Sequence, residues 1–241
     1  MNQTSKTNNA RISNERLYIF DCDGLLYQHQ NSCYERMRDI GAKVIQAYTD
    51  LPYDTAYQLG CDSWEQHCDG FLLLKEKFGT AAYLAMHRHF DMVARLDVSG
   101  IRDEHLPNMI WDLSKQANVC FLSHTNTRSL KMMMTRMGYN PVLVDSAAYG
   151  IDAFHARKDE SCTSVFNKVC HMYGVEPKNA VMIEDSKTNL MHAKQSGIGR
   201  TVLVDWGRAA SLPDGVDESY RSTTAFVQRE LHTHMSRQLV A

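Results

Sequence analysis

The chain has 241 residues, 44% of them hydrophobic and 22% charged, with a formal net charge of −2, as is typical of a folded globular protein with one large domain or a core and a smaller insert. So small a charge provides no basic field for nucleic acid or an anionic membrane, and we predict neither partner. Seven scattered cysteines argue against a secreted disulfide framework, and no apolar run reaches the ~20 residues that cross a bilayer, so we predict a cytoplasmic location.

Short apolar runs and amphipathic helical patterns alternate along much of the chain. After residues 1–15, a polar lead-in that we expect to be disordered, five apolar runs are predicted to be buried parallel strands. These runs are residues 17–20, 119–122, 142–144, 181–183 and 201–204. Helical patterns are found at residues 106–113, 130–137, 165–172 and 223–231. The alternation predicts a doubly wound, mostly parallel, Rossmann-like α/β sheet with helices on both faces.

Residues 31–100 interrupt this alternation, because they contain helical patterns but no clear strand. The interruption follows directly on the first predicted strand. We therefore predict a helical cap that is inserted there and covers the site. The α/β core is predicted to comprise residues 16–30 and 101–210, and residues 211–241 are predicted to form a C-terminal extension with a closing helix.

Two aspartates, Asp21 and Asp23, follow the first predicted strand. Because side chains alternate along an extended chain, both point the same way from the strand tip. Two carboxylates so close favour a bound cation or a shared proton. Polar residues also follow later strands, namely Ser123 and the pair Glu184 and Asp185. Since ligands bind beyond the carboxyl ends of parallel strands, the site is predicted at this edge of the sheet.

Four segments in this order resemble the haloacid dehalogenase-like hydrolases, and among them most closely the pyrimidine 5′-nucleotidase branch. The first is residues 20–27, Phe-Asp-Cys-Asp-Gly-Leu-Leu-Tyr, which matches the branch pattern Phe-Asp-x-Asp-x-x-Leu-Tyr. The second is the strand that ends at Ser123, and the third is Lys158, just ahead of a helix. The fourth is residues 184–189, Glu-Asp-Ser-Lys-Thr-Asn, similar to Asp-Asp-Ser-x-x-Asn. In the cap, residues 70–75, Gly-Phe-Leu-Leu-Leu-Lys, are similar to a Gly-apolar-basic motif of the branch.

The resemblance covers nearly the whole globular part of the chain and implies a phosphomonoester hydrolase. Asp21 would be the nucleophile that forms an aspartyl-phosphate, and Asp23 would be the general acid and base. Mg²⁺ would be held by Asp21, by the main-chain carbonyl of Asp23 and by Asp185. Ser123 and Lys158 would complete the catalytic set by binding the phosphoryl oxygens.

The resemblance also implies substrate contacts near the first and second motifs. Four residues would make them: Gly24, His124, Thr125 and Asn126. Because Thr125-Asn126 is similar to a Thr-Asn pair of the family, Thr125 is the alternative to Ser123 in the second motif. In the third motif Asp159 stands where the family has proline, which is expected to loosen the loop and to repel phosphate.

The predicted partner is a small phosphorylated metabolite, and the resemblance favours a nucleoside 5′-monophosphate. A sugar phosphomutase is one alternative, since it would use the same nucleophile and a helical cap. A catalytically silent phosphate-binding or regulatory protein is another, which the altered third motif favours and the intact Asp21, Asp23 and Asp185 oppose. Trp64 and Phe71 in the cap either stack on a base or complete the core of the cap itself.

Overall fold

The computed structural model describes residues 16–27, 31–67, 69–89, 103–154, 157–158, 164–207 and 211–238. The predictions for residues 1–15 and for Asp159 lie outside these ranges. The strands are β1 (Leu17–Phe20), β2 (Asn118–Leu122), β3 (Ala148–Tyr149), β4 (Ala180–Glu184), β5 (Arg200–Val204) and β6 (Glu218–Tyr220). The helices are α1 (Asn31–Tyr48), α2 (Tyr53–His67), α3 (Leu72–His89), α4 (Leu106–Ser114), α5 (Thr127–Arg136), α6 (Pro141–Ala147), α7 (Ile151–Phe154), α8 (Ser164–Tyr173), α9 (Lys187–Gln195) and α10 (Thr223–Gln238).

These strands form one sheet of six in the order β3-β2-β1-β4-β5-β6, and every pairing is parallel. Strand β1 is central, with Phe20 paired to Phe121 on β2 and to Ile183 on β4. The strand order runs outward in opposite directions from β1. The carboxyl end of β1 is therefore a topological switch point, where ligands bind in such sheets.

Successive residues of β1 pack into two different hydrophobic cores. Tyr18 and Phe20 belong to a cluster that includes residues of α4, α5, α6 and α10. Leu17 and Ile19 belong to a second cluster, with residues of α8 and α9. Both faces of the sheet are thus covered by helices, which explains why β1 is an uninterrupted apolar run. The prediction of a doubly wound α/β sheet is confirmed.

One predicted strand is wrong. Residues 142–144 lie in α6, which begins at Pro141 after an N-cap at Asn140. The Asn140 side chain accepts a hydrogen bond of 2.9 Å from the main-chain N–H of Val142, and proline in the first helical position has its φ already set for a helix. The third strand is instead the two-residue β3, directly after α6.

Helices α1, α2 and α3 lie between β1 and β2, and we call them the helical insert. They share a third hydrophobic cluster, in which Ile45, Phe71 and Leu74 are buried. Helix α3 is kinked at Gly79, whose φ of 81° favours glycine. The predicted domain boundaries stay predictions. In the predicted C-terminal extension, β6 pairs with β5, and Phe226 of α10 joins the first cluster.

No helix in the described part of the chain is both long and apolar enough to cross a membrane.

Candidate active site

Three carboxylates meet at the carboxyl ends of β1 and β4. One oxygen from each of Asp21, Glu184 and Asp185 lies within 4.8 Å of the others. Asp21 follows β1 and Glu184 ends β4, so the parallel pairing of these strands brings the two side chains together. Asp21 and Glu184 are buried, whereas the residue Asp185 is exposed. We call these three residues the acidic cluster.

Lys158 is a buried cation bound to this cluster. Its Nζ donates to Asp21 Oδ1 and, at 2.8 Å, to Glu184 Oε1. Burial opposes the charged form, but the two carboxylates outweigh it and raise the pKa of Lys158 above its ordinary value. Lys158 is therefore an ammonium at neutral pH. One positive charge among three carboxylates leaves the site with an excess of negative charge when all are ionised.

Of the three carboxylates in the acidic cluster, Glu184 has the most complete set of hydrogen bonds from described residues. Its Oε1 accepts from Lys158 and, at 2.5 Å, from Asn189 Nδ2. Its Oε2 accepts from the main-chain N–H groups of Asp185 at 2.8 Å and Ser186 at 3.1 Å. A carboxylate has about four acceptor positions, so those of Glu184 are filled. Burial works against ionisation, but Lys158 and these donors prevail and lower the pKa of Glu184.

The other two carboxylates have the opposite shift. Burial and the neighbouring Glu184 raise the pKa of Asp21, against the opposing effect of Lys158. Although the residue Asp185 is exposed, the surrounding protein desolvates its carboxyl group, and together with Glu184 and Asp21 this raises its pKa. A hard divalent cation with oxygen ligands would relieve this repulsion. The donor set therefore fits such an ion.

Asp23 is bound by hydroxyl groups and is not part of the acidic cluster. Its Oδ1 accepts from Tyr27 at 2.6 Å, and its Oδ2 accepts from Ser123 at 2.9 Å and Thr125 at 3.0 Å. The two aspartates of the first motif thus have different surroundings, since Asp21 is ion-paired and Asp23 is held by neutral donors. The predicted contact between the Asp23 main-chain carbonyl and a metal ion stays a prediction.

A cavity of about 340 Å³ lies between the acidic cluster and the helical insert. From the core, Asp21, Asp23, Lys158 and Asp185 line it. From the insert, the wall includes Arg38, Trp64, Asp69, Phe71 and His87. The insert therefore covers the carboxyl edge of the sheet, as the position of the predicted cap indicates.

The residues of the second motif have different surroundings. Ser123 is 1% exposed, does not line the cavity, and accepts a hydrogen bond of 2.9 Å from the main-chain N–H of Thr125. His124 and Thr125 line the cavity. The Nε2 atom of His124 accepts from the main-chain N–H of Lys158 at 3.0 Å. Of the two alternatives for this motif, Thr125 is the one that reaches the cavity.

Asn126 and Gly24 do not line the cavity. The Asn126 side chain caps α5 by accepting from the N–H of Ser129 at 2.9 Å, and its Nδ2 donates to the carbonyl of His87 at 2.7 Å. Gly24 has a φ of 78° in the turn after β1, and its carbonyl accepts from Trp206 Nε1 at 2.7 Å. The structure thus gives both residues structural contacts, and their predicted substrate contacts stay predictions.

The sequence profile of the haloacid dehalogenase-like hydrolases matches residues 15–197. The chain belongs to this family. A HAD phosphatase from Thermococcus onnurineus is 15% identical to this hydrolase, with a TM-score of 0.56 over 89% of this chain and 97% of that one. A dehalogenase is 14% identical, with a TM-score of 0.55 over 89% and 96% of the two chains. A provisionally assigned beta-phosphoglucomutase from Thermotoga maritima is 17% identical, with a TM-score of 0.53 over 90% and 99%.

At these identities, the structural similarity shows that the hydrolase shares the fold of these proteins. A comparison with curated proteins found no match. The assignment to the pyrimidine 5′-nucleotidase branch stays a prediction.

Sequence reasoning missed two residues of the hydrolase that connect the insert to the site. Asp69 of the insert and Arg157, beside Lys158, form a buried ion pair. The sequence marks these two residues only by their positions next to motifs. Asp69 precedes the cap motif at residues 70–75, and Arg157 precedes the third-motif lysine. It also missed that Glu184 binds Lys158 directly. The position of Glu184 after an apolar strand predicted that it lies at the site, but nothing in the sequence indicated that it pairs with Lys158.

Proposed function

We propose that this hydrolase is a Mg²⁺-dependent phosphomonoesterase that acts through an aspartyl-phosphate on a small metabolite, with nucleoside 5′-monophosphates as its preferred substrates. The observation that carries the proposal is the acidic cluster around Lys158, with Asp23 held separately by hydroxyl groups. A phosphate ester would bring more negative charge to this cluster. Phosphoryl transfer there therefore requires an additional cation, which this donor set suits.

The expected ligands of Mg²⁺ are Asp21 and Asp185, whose oxygens lie close together. Glu184 has its acceptor positions filled and would reach the ion through water. Bound Mg²⁺ would neutralise charge, so that an anionic nucleophile and an anionic phosphate could approach one another.

Asp21 and Asp23 would divide the chemistry between them. Asp21 Oδ1 is bound to Lys158, while Oδ2 accepts no hydrogen bond from the described residues and is the oxygen for attack on phosphorus. As the bond from Asp21 to phosphorus forms, the bond to the ester oxygen breaks and Asp23 gives that oxygen a proton. Water then attacks the aspartyl-phosphate and passes its proton to Asp23, which releases phosphate and restores Asp21.

Lys158 and Thr125 would bind the phosphoryl oxygens, since both line the cavity. The phosphoryl group would replace Asp21 as a partner of the Lys158 ammonium and so free the nucleophile. Ser123 is buried against Asp23 and would orient that carboxyl group for proton transfer.

The preference for a nucleotide is supported by the insert wall of the cavity. Phe71 is 2% exposed and belongs to the hydrophobic core of the insert. Trp64 is half-buried, lines the cavity and lies outside that core cluster. Arg38 also lines the cavity, is exposed, and forms no ion pair with any described residue. An aromatic surface and an unpaired guanidinium suit a planar, polar leaving group such as a nucleoside. The cytoplasmic location stays a prediction from composition.

The test is a release assay on the purified protein, with Mg²⁺ or with EDTA. The panel contains nucleoside 5′-monophosphates, sugar phosphates, an aryl phosphate and a 2-haloacid. We expect inorganic phosphate to be released fastest from a nucleotide and EDTA to stop the release. Asp21→Asn removes the nucleophile and is expected to lower turnover by on the order of 10⁴-fold or more. Its circular dichroism spectrum is expected to match that of the wild type.

Other results would replace the proposal with a specific alternative. An isomerised sugar phosphate without free phosphate would identify a mutase, and halide release would identify a dehalogenase. No turnover across the panel would favour a phosphate-binding protein. Undiminished turnover by Asp21→Asn would contradict the assigned nucleophile.

A further inference from the structure

We propose that Asp69 and Arg157 form a positioning pair through which the helical insert holds Lys158 in its place at the acidic cluster. The proposal rests on the proposed function in one respect, namely that Lys158 binds the phosphoryl group of the substrate. It holds for any leaving group of the phosphate ester.

The pair joins the insert to the core. Asp69 lies between α2 and α3, and Arg157 is the residue immediately before Lys158. Nη1 of Arg157 donates to Oδ2 of Asp69 and lies 3.3 Å from the Tyr83 hydroxyl. Asp69 and Arg157 are each 3% exposed. Burial opposes ionisation of Asp69, but His87 and Arg157 lower its pKa below the ordinary range. A buried charge that loses its partner is costly, so the pair resists separation.

The insert holds Asp69 from several directions. Its Oδ1 accepts from the main-chain N–H of Phe71 at 2.8 Å. Its Oδ2 accepts from the Tyr83 hydroxyl at 2.6 Å and lies 3.3 Å from Nε2 of His87. Its main-chain carbonyl accepts from Ser63 Oγ at 2.6 Å. These contacts fix the position of Asp69, so its side chain could not move together with Arg157 if the backbone at Arg157 and Lys158 shifted. We call Asp69, Tyr83 and His87 the insert corner.

Lys158 is held at both ends of the residue. Its main-chain N–H donates to His124 at 3.0 Å, and its ammonium binds Asp21 and Glu184. Arg157 is adjacent in the chain, so fixing its side chain on the insert restricts the backbone that carries Lys158. A displacement of about 1 Å at a catalytic group costs as much as 100-fold in rate, so this restriction bears directly on turnover.

A second contact ties the same insert corner to the second-motif loop. The Nδ2 atom of Asn126 donates to the main-chain carbonyl of His87 at 2.7 Å. Asn126 directly follows Thr125, which lines the cavity. One corner of the insert therefore contacts both loops that carry the phosphoryl-binding residues. A contact that only stabilised the interface between insert and core could lie anywhere on that interface. The Asp69–Arg157 and His87–Asn126 contacts instead lie beside Lys158 and Thr125.

The test uses the full chain with Asp69→Asn, which keeps the shape of the side chain and one oxygen acceptor but removes its charge. We expect kcat/KM for phosphate release to fall by about 10- to 100-fold, and Arg157→Lys to lose less activity than Arg157→Met. Glu230→Gln is the matched control, because Glu230 is 2% exposed and pairs with Arg200 at 2.9 Å but does not line the cavity. It is expected to leave kcat/KM unchanged.

Amide hydrogen exchange at Lys158 gives a readout that does not depend on turnover. Asp69→Asn is expected to accelerate exchange of this amide, and Glu230→Gln is not. If Asp69→Asn fails to fold, Tyr83→Phe removes one donor to Asp69 and is expected to give a smaller acceleration.

Unchanged exchange at Lys158 would overturn the positioning role even if the melting temperature falls, because the pair would then be only structural. If the wild type releases no phosphate from any substrate, the proposed function fails, and the exchange result alone decides whether the pair positions Lys158.

Discussion

Arg157 and Lys158 are neighbours in the chain, and each is 3% exposed, but the charges around them differ. Among the described residues, Arg157 pairs with one carboxylate, that of Asp69, so a single positive charge faces a single negative charge. Lys158 binds two carboxylates and has a third, Asp185, close by, so negative charge exceeds positive charge there. A balanced buried pair is satisfied by the protein alone, whereas an unbalanced one requires a further cation. This difference in charge balance is what we expect between a contact that positions residues and a site that binds a metal ion and reacts.

The pKa values of the carboxylates report the same difference. Burial opposes ionisation at both places. At Asp69, His87 and Arg157 outweigh burial, and the pKa is lowered. At Asp21, the Glu184 carboxylate adds to the effect of burial, and the pKa is raised despite Lys158. The local sum of charge, more than depth of burial, distinguishes these two sites.

The comparison predicts different responses to Mg²⁺ when either cation is removed. Lys158→Met and Arg157→Met each leave a buried carboxylate without its cation, so each is expected to lower the free energy of unfolding by about 3–5 kcal/mol. Lys158→Met is also expected to abolish phosphate release. Added Mg²⁺ should restore much of the stability of Lys158→Met, because the ion replaces the missing positive charge, but little of that of Arg157→Met. Urea unfolding with Mg²⁺ or EDTA measures both effects.

An equal response of the two variants to Mg²⁺ would break the comparison, because the ion would then not distinguish the acidic cluster from the Asp69–Arg157 pair. The wild type treated in the same way is the control for general effects of Mg²⁺ on unfolding.

A smaller effect is expected in the dependence of stability on pH. Because the pKa values of Asp21 and Asp185 are raised in the metal-free folded protein, the folded state keeps protons that the unfolded chain has released. The free energy of unfolding therefore falls as pH rises from about 4, the ordinary aspartate value, through the raised values. Mg²⁺ favours the ionised carboxylates and is expected to flatten this fall. Asp21→Asn removes one of the two carboxyl groups with a raised pKa, so it is expected to flatten the fall in the free energy of unfolding without Mg²⁺.

Asp69 is expected to have the opposite effect on the pH dependence of the free energy of unfolding. Its lowered pKa means that the folded state releases a proton more readily than the unfolded chain, so its contribution is present at neutral pH. That contribution is lost as pH falls below the ordinary aspartate range. Urea unfolding of the wild type and of Asp69→Asn at a series of pH values measures the difference. Equal slopes in acid for the two proteins would contradict the assignment.

The acidic cluster was largely predictable from the sequence because its residues follow apolar strands. Parallel pairing collects the carboxyl ends of strands at one edge, so the predicted sheet placed Asp21 and Asp185 at the same edge. That their strands are neighbours became known from the structure. The Asp69–Arg157 pair was not predictable, since it depends on how the insert docks on the core. Nothing local to either residue specifies that docking.

The same distinction explains the wrong strand. Three apolar residues at 142–144 fit a buried strand or a buried turn of helix equally well, and periodicity does not separate them. The preceding Asn140 and Pro141 are a helix start, and this signal was present in the sequence. The two-residue β3 had no comparable signal, because its pairing with β2 depends on tertiary contacts.

Two asparagines provide the smallest and most specific test of the contacts between insert and core. Asn126 and Asn140 are both N-caps, each accepting from a main-chain N–H at 2.9 Å. Replacing either by alanine is expected to cost about 1 kcal/mol of stability. Asn126 also donates to the carbonyl of His87, so Asn126→Ala should cost about 1 kcal/mol more than Asn140→Ala. If Asn126 acts only on stability, this difference appears with KM unchanged. A raised KM for Asn126→Ala, with that of Asn140→Ala unaltered, would instead show that Asn126 acts at the site, either through the substrate contact predicted from the sequence or by holding the loop that carries Thr125.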